Sequence, residues 1–259
     1  MRLTRFAVAY TGMLFALCGV TVPALAGPPY QTDDPAPVPY RHYEIYLGTQ
    51  EENGAGGLEA EVPFLEVNYG PMPNVQVAVS TPYAFTSGPQ VPLGRSVGAL
   101  DAGVKVRFIQ ETVSHPQVAF YPSMELSTDG SAAPKLFLPL WAQQTMGRTT
   151  IFGGGGWERN PGAGNRNFWS GGVADTYQFS KPINAGIEVY GNTPEVWGER
   201  GSMSVGIGMN DDFSDIHSFV VSIGTSFAGQ RDLHAYAAYE LRLGPGSTGD
   251  RETDSKKRA

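Results

Sequence analysis

Between residues 40 and 243, apolar and polar side chains alternate through one short segment after another, with no helix-length stretch between them. In Leu100-Asp101-Ala102-Gly103-Val104-Lys105-Val106-Arg107-Phe108 every even position is apolar and every odd one is charged or glycine. Successive side chains of a strand point to opposite faces, so this segment separates an apolar side from a wet one. About twelve such segments are expected, near 40–50, 60–69, 75–85, 99–110, 117–127, 135–144, 148–158, 167–179, 183–192, 202–210, 218–227 and 233–243. Each is about nine to eleven residues long, the length of a tilted transmembrane strand.

The connections alternate as well. Gly70–Asn74, Glu111–Pro116, Thr145–Gly147 and Ser180–Pro182 read as short turns, whereas 51–59, 86–98, 128–134, 159–166 and 193–201 read as longer polar or Gly-rich loops. Short turns on one rim and long loops on the other predict an all-β fold, a transmembrane antiparallel β-barrel of about 12 strands with both termini on the short-turn, periplasmic rim. Aromatic residues flank both sets of connections: Tyr69, Phe108, Phe179 and Phe213 beside the turns, Tyr83, Phe85, Trp157, Trp169 and Phe227 beside the loops. Two such bands fit the girdles at the two water interfaces.

Parity then assigns faces. Val75, Val77 and Val79, Val104, Val106 and Phe108, Val118 and Phe120, Ile183, Ala185 and Ile187, Val205, Ile207 and Met209, and Phe219, Val221 and Ile223 fall outward. Glu44, Glu66, Asp101, Lys105, Arg107, Glu125, Glu188, Glu240 and Arg242 fall inward and are the expected lumen-lining residues. A charge of that kind costs about 2–4 kcal/mol against lipid at the midplane and is tolerated in a hydrated or paired interior. They make either a wet pore or a salt-bridged plug. Three features fit a regular barrel badly. Asp175 shares parity with Trp169, Val173 and Tyr177, which predicts a bulge or a mis-set register. Gly153–Gly156 leaves one strand almost without side chains, suggesting a sharp bend or a close approach. Pro63, Pro82, Pro122 and Pro139 lie inside strands, where each removes a ladder donor.

The start of the chain changes the picture further. Arg2 and Arg5, the apolar run Phe6–Val22 and Ala24-Leu25-Ala26 predict a signal peptide, residues 1–26, cleaved after Ala26. Cys18 lies within it, and Leu17 is too large for a lipoprotein cleavage pattern. The mature chain then has no cysteine and, of 18 basic and 25 acidic residues, loses only two bases. Its net charge near −9 argues against nucleic acid as a partner. After Val22 no apolar run reaches the roughly 20 residues of a membrane helix, so any crossing must be by strands. Residues 27–39 read as an extended periplasmic lead, 40–243 as the barrel and 244–259 as a disordered polar tail.

The stretch Gly27-Pro28-Pro29-Tyr30-Gln31-Thr32-Asp33-Asp34-Pro35, continuing through Pro37-Val38-Pro39-Tyr40-Arg41-His42-Tyr43-Glu44, resembles the opening of a bacterial outer-membrane family labelled for the MetA pathway of phenol degradation. Glu66-Val67-Asn68-Tyr69-Gly70-Pro71 with Pro73-Asn74-Val75-Gln76 is similar to its next element. So are Gly103–Phe108 with Gln110-Glu111, Phe137-Leu138-Pro139-Leu140-Trp141, and Asn160-Pro161-Gly162 with Gly164-Asn165-Arg166. The resemblance spans nearly the whole mature chain and implies a membrane barrel of the clan that includes aromatic-hydrocarbon and fatty-acid channels. It carries over no catalytic or binding residue. Barrels of this type commonly finish on an aromatic strand end, whereas here Tyr239-Glu240-Leu241-Arg242-Leu243 runs on into the polar tail.

Candidate chemistry is sparse. Gly94-Arg95-Ser96-Val97-Gly98 matches G-x-S-x-G, but a nucleophile elbow needs a strand before it and a helix after it. His115 and His217 adjoin serines only as immediate neighbours, on opposite faces of a strand, so an outer-membrane phospholipase is disfavoured. His42, His115, His217 and His234 show no metal-ligand spacing; His42 and His234 share inward parity on the first and last strands. Asp211, Asp212 and Asp215 crowd one turn, better read as an Asx-rich turn than a calcium site. Gly153–Gly156 is not followed by G-K-[ST] and is no phosphate loop. Asp33-Asp34 is a candidate partner for the lumen bases Lys105 or Arg107.

The sequence therefore points to a non-enzymatic outer-membrane channel without cofactor or metal, for small solutes with aromatic or hydrophobic compounds among the candidates. Its expected partners are outer-membrane lipid, the barrel-assembly machinery and the solutes themselves. The alternatives are a non-conducting structural barrel with a packed interior and partner-binding loops, and a soluble secreted β-sandwich.

Overall fold

The structure is a computed structural model that describes residues 29–54, 57–88, 93–130, 132–229 and 232–245. The expected signal peptide with its cleavage after Ala26, and most of the expected tail 244–259, lie outside the described residues.

Fourteen ladder segments form one sheet, and two pairs of them are single strands with a short interruption, so the wall has twelve strands. These are β1 (Tyr43–Gly54), β2 (Gly57–Met72), β3 (Val75–Ser87), β4 in two pieces (Gly94–Val97 and Leu100–Ile109), β5 in two pieces (Gln117–Phe120 and Ser123–Leu126) and β6 (Lys135–Met146). Next come β7 (Thr149–Arg159), β8 (Phe168–Gln178), β9 (Ile183–Asn192), β10 (Ser202–Asp211), β11 (His217–Ala228) and β12 (Leu233–Leu243). Each strand pairs antiparallel with its sequence neighbour, and β1 pairs with β12 from Tyr43 opposite Leu243 to Asn53 opposite Leu233. The sheet thus closes on itself and has no free edge, which is how a β structure satisfies every ladder group where water is absent.

The alternation in the sequence sets which way the closed sheet faces. Val77, Val79, Val104, Val106, Phe108, Ile187, Val205, Ile207, Phe219 and Ile223 are all exposed on the outer wall. Their intervening neighbours Gln76, Lys105, Glu188, Ser204 and Ser218 are buried inside. A soluble domain does the reverse, so the outer wall suits hydrocarbon. Phe108, Phe179 and Phe213 near the turns and Trp169 and Phe227 near the loops stand out from the wall. Tight turns close the first rim. Asn74 takes φ 64° between β2 and β3, a left-handed conformation that asparagine tolerates better than most residues.

Four sequence readings can be set against the ladders. The segments expected as loops at 51–59 and 86–98 carry strand among their described residues: Glu52 pairs with Glu59, Asn53 with Leu58, and Thr86 with Gly94. Polar composition reads as loop, but a strand extended beyond the hydrocarbon has water on both faces and needs no apolar side. Second, no bulge occurs at Asp175; both of its ladders run without a register shift, and its side chain is exposed on the outer wall. Lying three residues from the end of β8, it sits near the interface, where an outward carboxylate costs little. Third, three of the four prolines use the irregularities available, and Pro82 pairs with Phe64 at the edge of one of them. Pro63 lies in the register shift between Glu61 and Phe64, Pro122 in the gap of β5, and Pro139 opposite that gap. Fourth, the shared inward parity of His42 and His234 does not make them neighbours, because the register places them at opposite ends of the barrel.

Candidate functional site

The lumen contains a segment of the chain itself. Residues 29–39, expected as a lead ahead of the barrel, run inside the wall before Tyr40 bridges to Gly70 and the chain enters β1. Thr32, Asp34, Pro35 and Val38 are all but fully buried there. The wall holds the lead with polar side chains that parity directs inward. Glu188 on β9 accepts the backbone N–H groups of Gln31 at 3.2 Å and Thr32 at 3.0 Å. Tyr30 donates its hydroxyl to the carbonyl of Gly208 at 3.0 Å, and Ser222 donates to the carbonyl of Pro29 at 2.6 Å. Val38 donates its N–H to Gln76 at 2.9 Å, and Gln76 is held in turn by Asn68. Gly208 and Gly172 provide the room. A Cβ at Gly208 would stand 2.8 Å from the Tyr30 ring and 2.9 Å from Pro29, and one at Gly172 would overlap Thr32.

The charged pair of the lead meets the wall at one point. Lys105 Nζ lies 3.1 Å from Asp33 Oδ1 and 5.0 Å from the centre of the Tyr121 ring. Burying Lys105 is costly, and the ion pair with the partly exposed Asp33 and the ring both help offset that cost. Next to them Asp34 is buried, with Oδ1 accepting the N–H of Ala36 at 2.6 Å and Oδ2 without a hydrogen-bond partner. Burial pushes its carboxyl up to about 7, with the charge of Asp33 adding to the rise and Lys105 opposing it. Burial likewise raises the Tyr30 hydroxyl, reinforced by Glu188.

Arg107 is directed elsewhere: its guanidinium donates to Asn74 in the β2–β3 turn at 2.8 Å and to Gln117 at 3.0 Å. Arg242 donates to Asp212 at 2.9 Å and to Ser218 at 2.7 Å, with Glu240 3.8 Å away and Glu44 directly across the ladder. One aspartate of the crowded turn is thereby engaged by a lumen base. Glu66 accepts from Asn68 at 2.6 Å. Ser96, the serine of the G-x-S-x-G match, stands in a strand piece paired to β3, without the strand-to-helix turn an elbow requires.

Asp101 and Glu125 face each other across β4 and β5 and belong to a second feature, a vestibule of about 720 Å³ opening at the long-loop rim. Its wall carries eight carboxylates against Lys135, Arg200 and His234, and Gln31 of the lead contributes to its floor. Lys135 is itself engaged by Glu125 at 2.9 Å, so the balance is strongly acidic. Sequence reasoning missed Glu52 and Glu59 because it assigned them to a loop. It missed Glu158 although its parity was available.

No protein-family model matches the sequence, and no curated protein matches it. Several solved structures share the architecture. The COG4313 outer membrane channel from Pseudomonas putida F1 superposes with a TM-score of 0.64 at 11% identity, covering 82% of this chain and 98% of that one. The NanC porin gives 0.56 at 8% identity over 77% of this chain and 100% of that one. The translocator domain of autotransporter NalP from Neisseria meningitidis gives 0.53 at 10% identity, over 78% and 88%. At such identities the likeness is one of architecture. The chain folds as a closed twelve-stranded antiparallel barrel of the outer-membrane type.

Proposed function

We propose that the protein is a passive channel of the outer membrane for small solutes, exported by a signal peptide removed after Ala26 and inserted through the barrel-assembly machinery. The observation that carries this reading is the make-up of the lumen. An open acidic vestibule leads down to a block made of a chain segment, held mainly by hydrogen bonds and one ion pair. The buried apolar cluster is small, comprising Tyr46, Phe64, Val220 and Ala238. An interior built only for rigidity would be filled by side chains from the wall itself. Aromatic and hydrophobic compounds enter the proposal through the family resemblance and through aromatic lining residues such as Phe137, Trp141 and Phe168. The docked lead favours one other reading, a non-conducting barrel whose loops bind partners.

Swelling of liposomes that contain the purified protein separates the two. Flux of small neutral solutes above that of empty liposomes is expected of a channel. Flux equal to empty liposomes, for wild type and for a variant with an undocked lead, rejects the channel.

A further inference from the structure

Closure of the barrel brings together three side chains that lie 182 residues apart in sequence at their extremes. Glu52 on β1 is directly opposite His234 on β12, and Asp232 joins them from the connection that precedes β12. One ligating atom of each lies within 4.8 Å of those of the other two. Nδ1 of His234 is 3.5 Å from Oε2 of Glu52. Nitrogen and oxygen ligands held at about 2.0–2.2 Å around a tetrahedral ion stand roughly 3.4 Å apart, so this pair already has the required separation. Tyr190 meets the imidazole edge-on, ring centres 5.9 Å apart at 73°, which fixes the plane of the ring. That packing contact restricts the ring from outside the ligand shell, a role that hydrogen-bonded partners play at known metal-bound histidines.

We propose that Glu52, Asp232 and His234 form a binding site for a divalent transition-metal ion, with zinc as the type, at the outer end of the β1–β12 seam. The donor set argues for that class. One imidazole nitrogen and two carboxylates suit zinc, copper or nickel, whereas calcium and magnesium take six or more oxygens. Three protein ligands leave a coordination position open towards the vestibule. The surrounding excess of carboxylates raises the local cation concentration and favours capture. Bound there, the ion ties the first strand to the last and stabilises closure by mass action.

The proposal is tested on the purified full-length protein in detergent micelles by titration calorimetry with zinc chloride. One ion per barrel is expected, with affinity falling at least about tenfold in His234→Ala, because even outer-shell changes at metal sites cost 10–100-fold. A smaller loss is expected in Asp232→Asn. Excess calcium should not displace the zinc. The melting temperature of wild type, but not of His234→Ala, should rise on adding zinc; His234→Gln replaces the alanine variant if that one does not fold. Absent zinc binding, an unchanged affinity in the histidine variants, or equal competition by calcium would overturn the site. None of these readouts depends on conduction, so their failure leaves the channel reading standing.

Discussion

Asp34 is a residue through which docking of the lead is expected to respond to pH. Docked, its carboxyl is pushed up to about 7 from an ordinary value of 3.8, chiefly by burial. Undocked, it meets water and returns to that ordinary range. The docked lead therefore binds a proton that the free lead releases across this interval. The resulting contribution to docking is complete below about pH 4 and is lost as pH rises through about 7. The contact of Lys105 with Asp33 at 3.1 Å also holds the lead, apart from Asp34. Protease accessibility of the lead should accordingly increase between pH 5 and 8.5. Asp34→Asn keeps the shape of the neutral acid and should flatten the profile. An Asp34→Asn protein with the same pH dependence as wild type would assign the effect to another group.

At the scale of elements, the lead and the inward glycines are shaped to one another. Gly208 lies opposite Ile207 in parity, and a side chain there would displace Tyr30 and Pro29 without touching the ladders of β10. Gly208→Val is expected to undock the lead, raising channel conductance several-fold while the barrel keeps its melting temperature. Unchanged conductance with a folded barrel would show that the lead does not limit passage. The strands themselves were legible, because the period of two in segments such as Val104–Phe108 is enforced by lipid on one face. The lead was less so. Asp33 and Lys105 could be matched by charge, but Gln31 and Thr32 dock through backbone N–H groups, which leave no mark on the sequence. The extensions at Glu52 and at Thr86 with Gly94–Val97 were hidden for a related reason, since strands bathed by water on both faces lose the alternation that announces them.

Taken whole, the molecule is polarised along its axis, with the docked lead in the lumen towards the short-turn rim and an acidic bowl at the other. The bowl gathers carboxylates from strands and loops far apart in sequence, including Asp101, Glu125, Glu158 and Glu195. Inward parity could be read for the strand residues among them, but not their height in the barrel, because that depends on where strands end. Such a bowl acts on a permeating ion through its summed potential rather than through a single contact. Screening then sets the range: the Debye length is about 10 Å at 0.1 M salt and about 3 Å at 1 M. Potassium should be favoured over chloride in planar bilayers under a dilute gradient, in wild type or in Gly208→Val if the docked lead prevents conduction. The preference should shrink towards unity in molar salt. Asp101→Asn combined with Glu158→Gln removes two carboxylates while leaving the Glu125–Lys135 pair intact, and should lower the preference measurably at 0.1 M. Both side chains line the open bowl, so the substitutions should leave folding unaffected. A reversal potential of chloride sign, or one indifferent to the double substitution, would mean that permeating ions do not traverse the acidic bowl, and the path would have to lie through the wall.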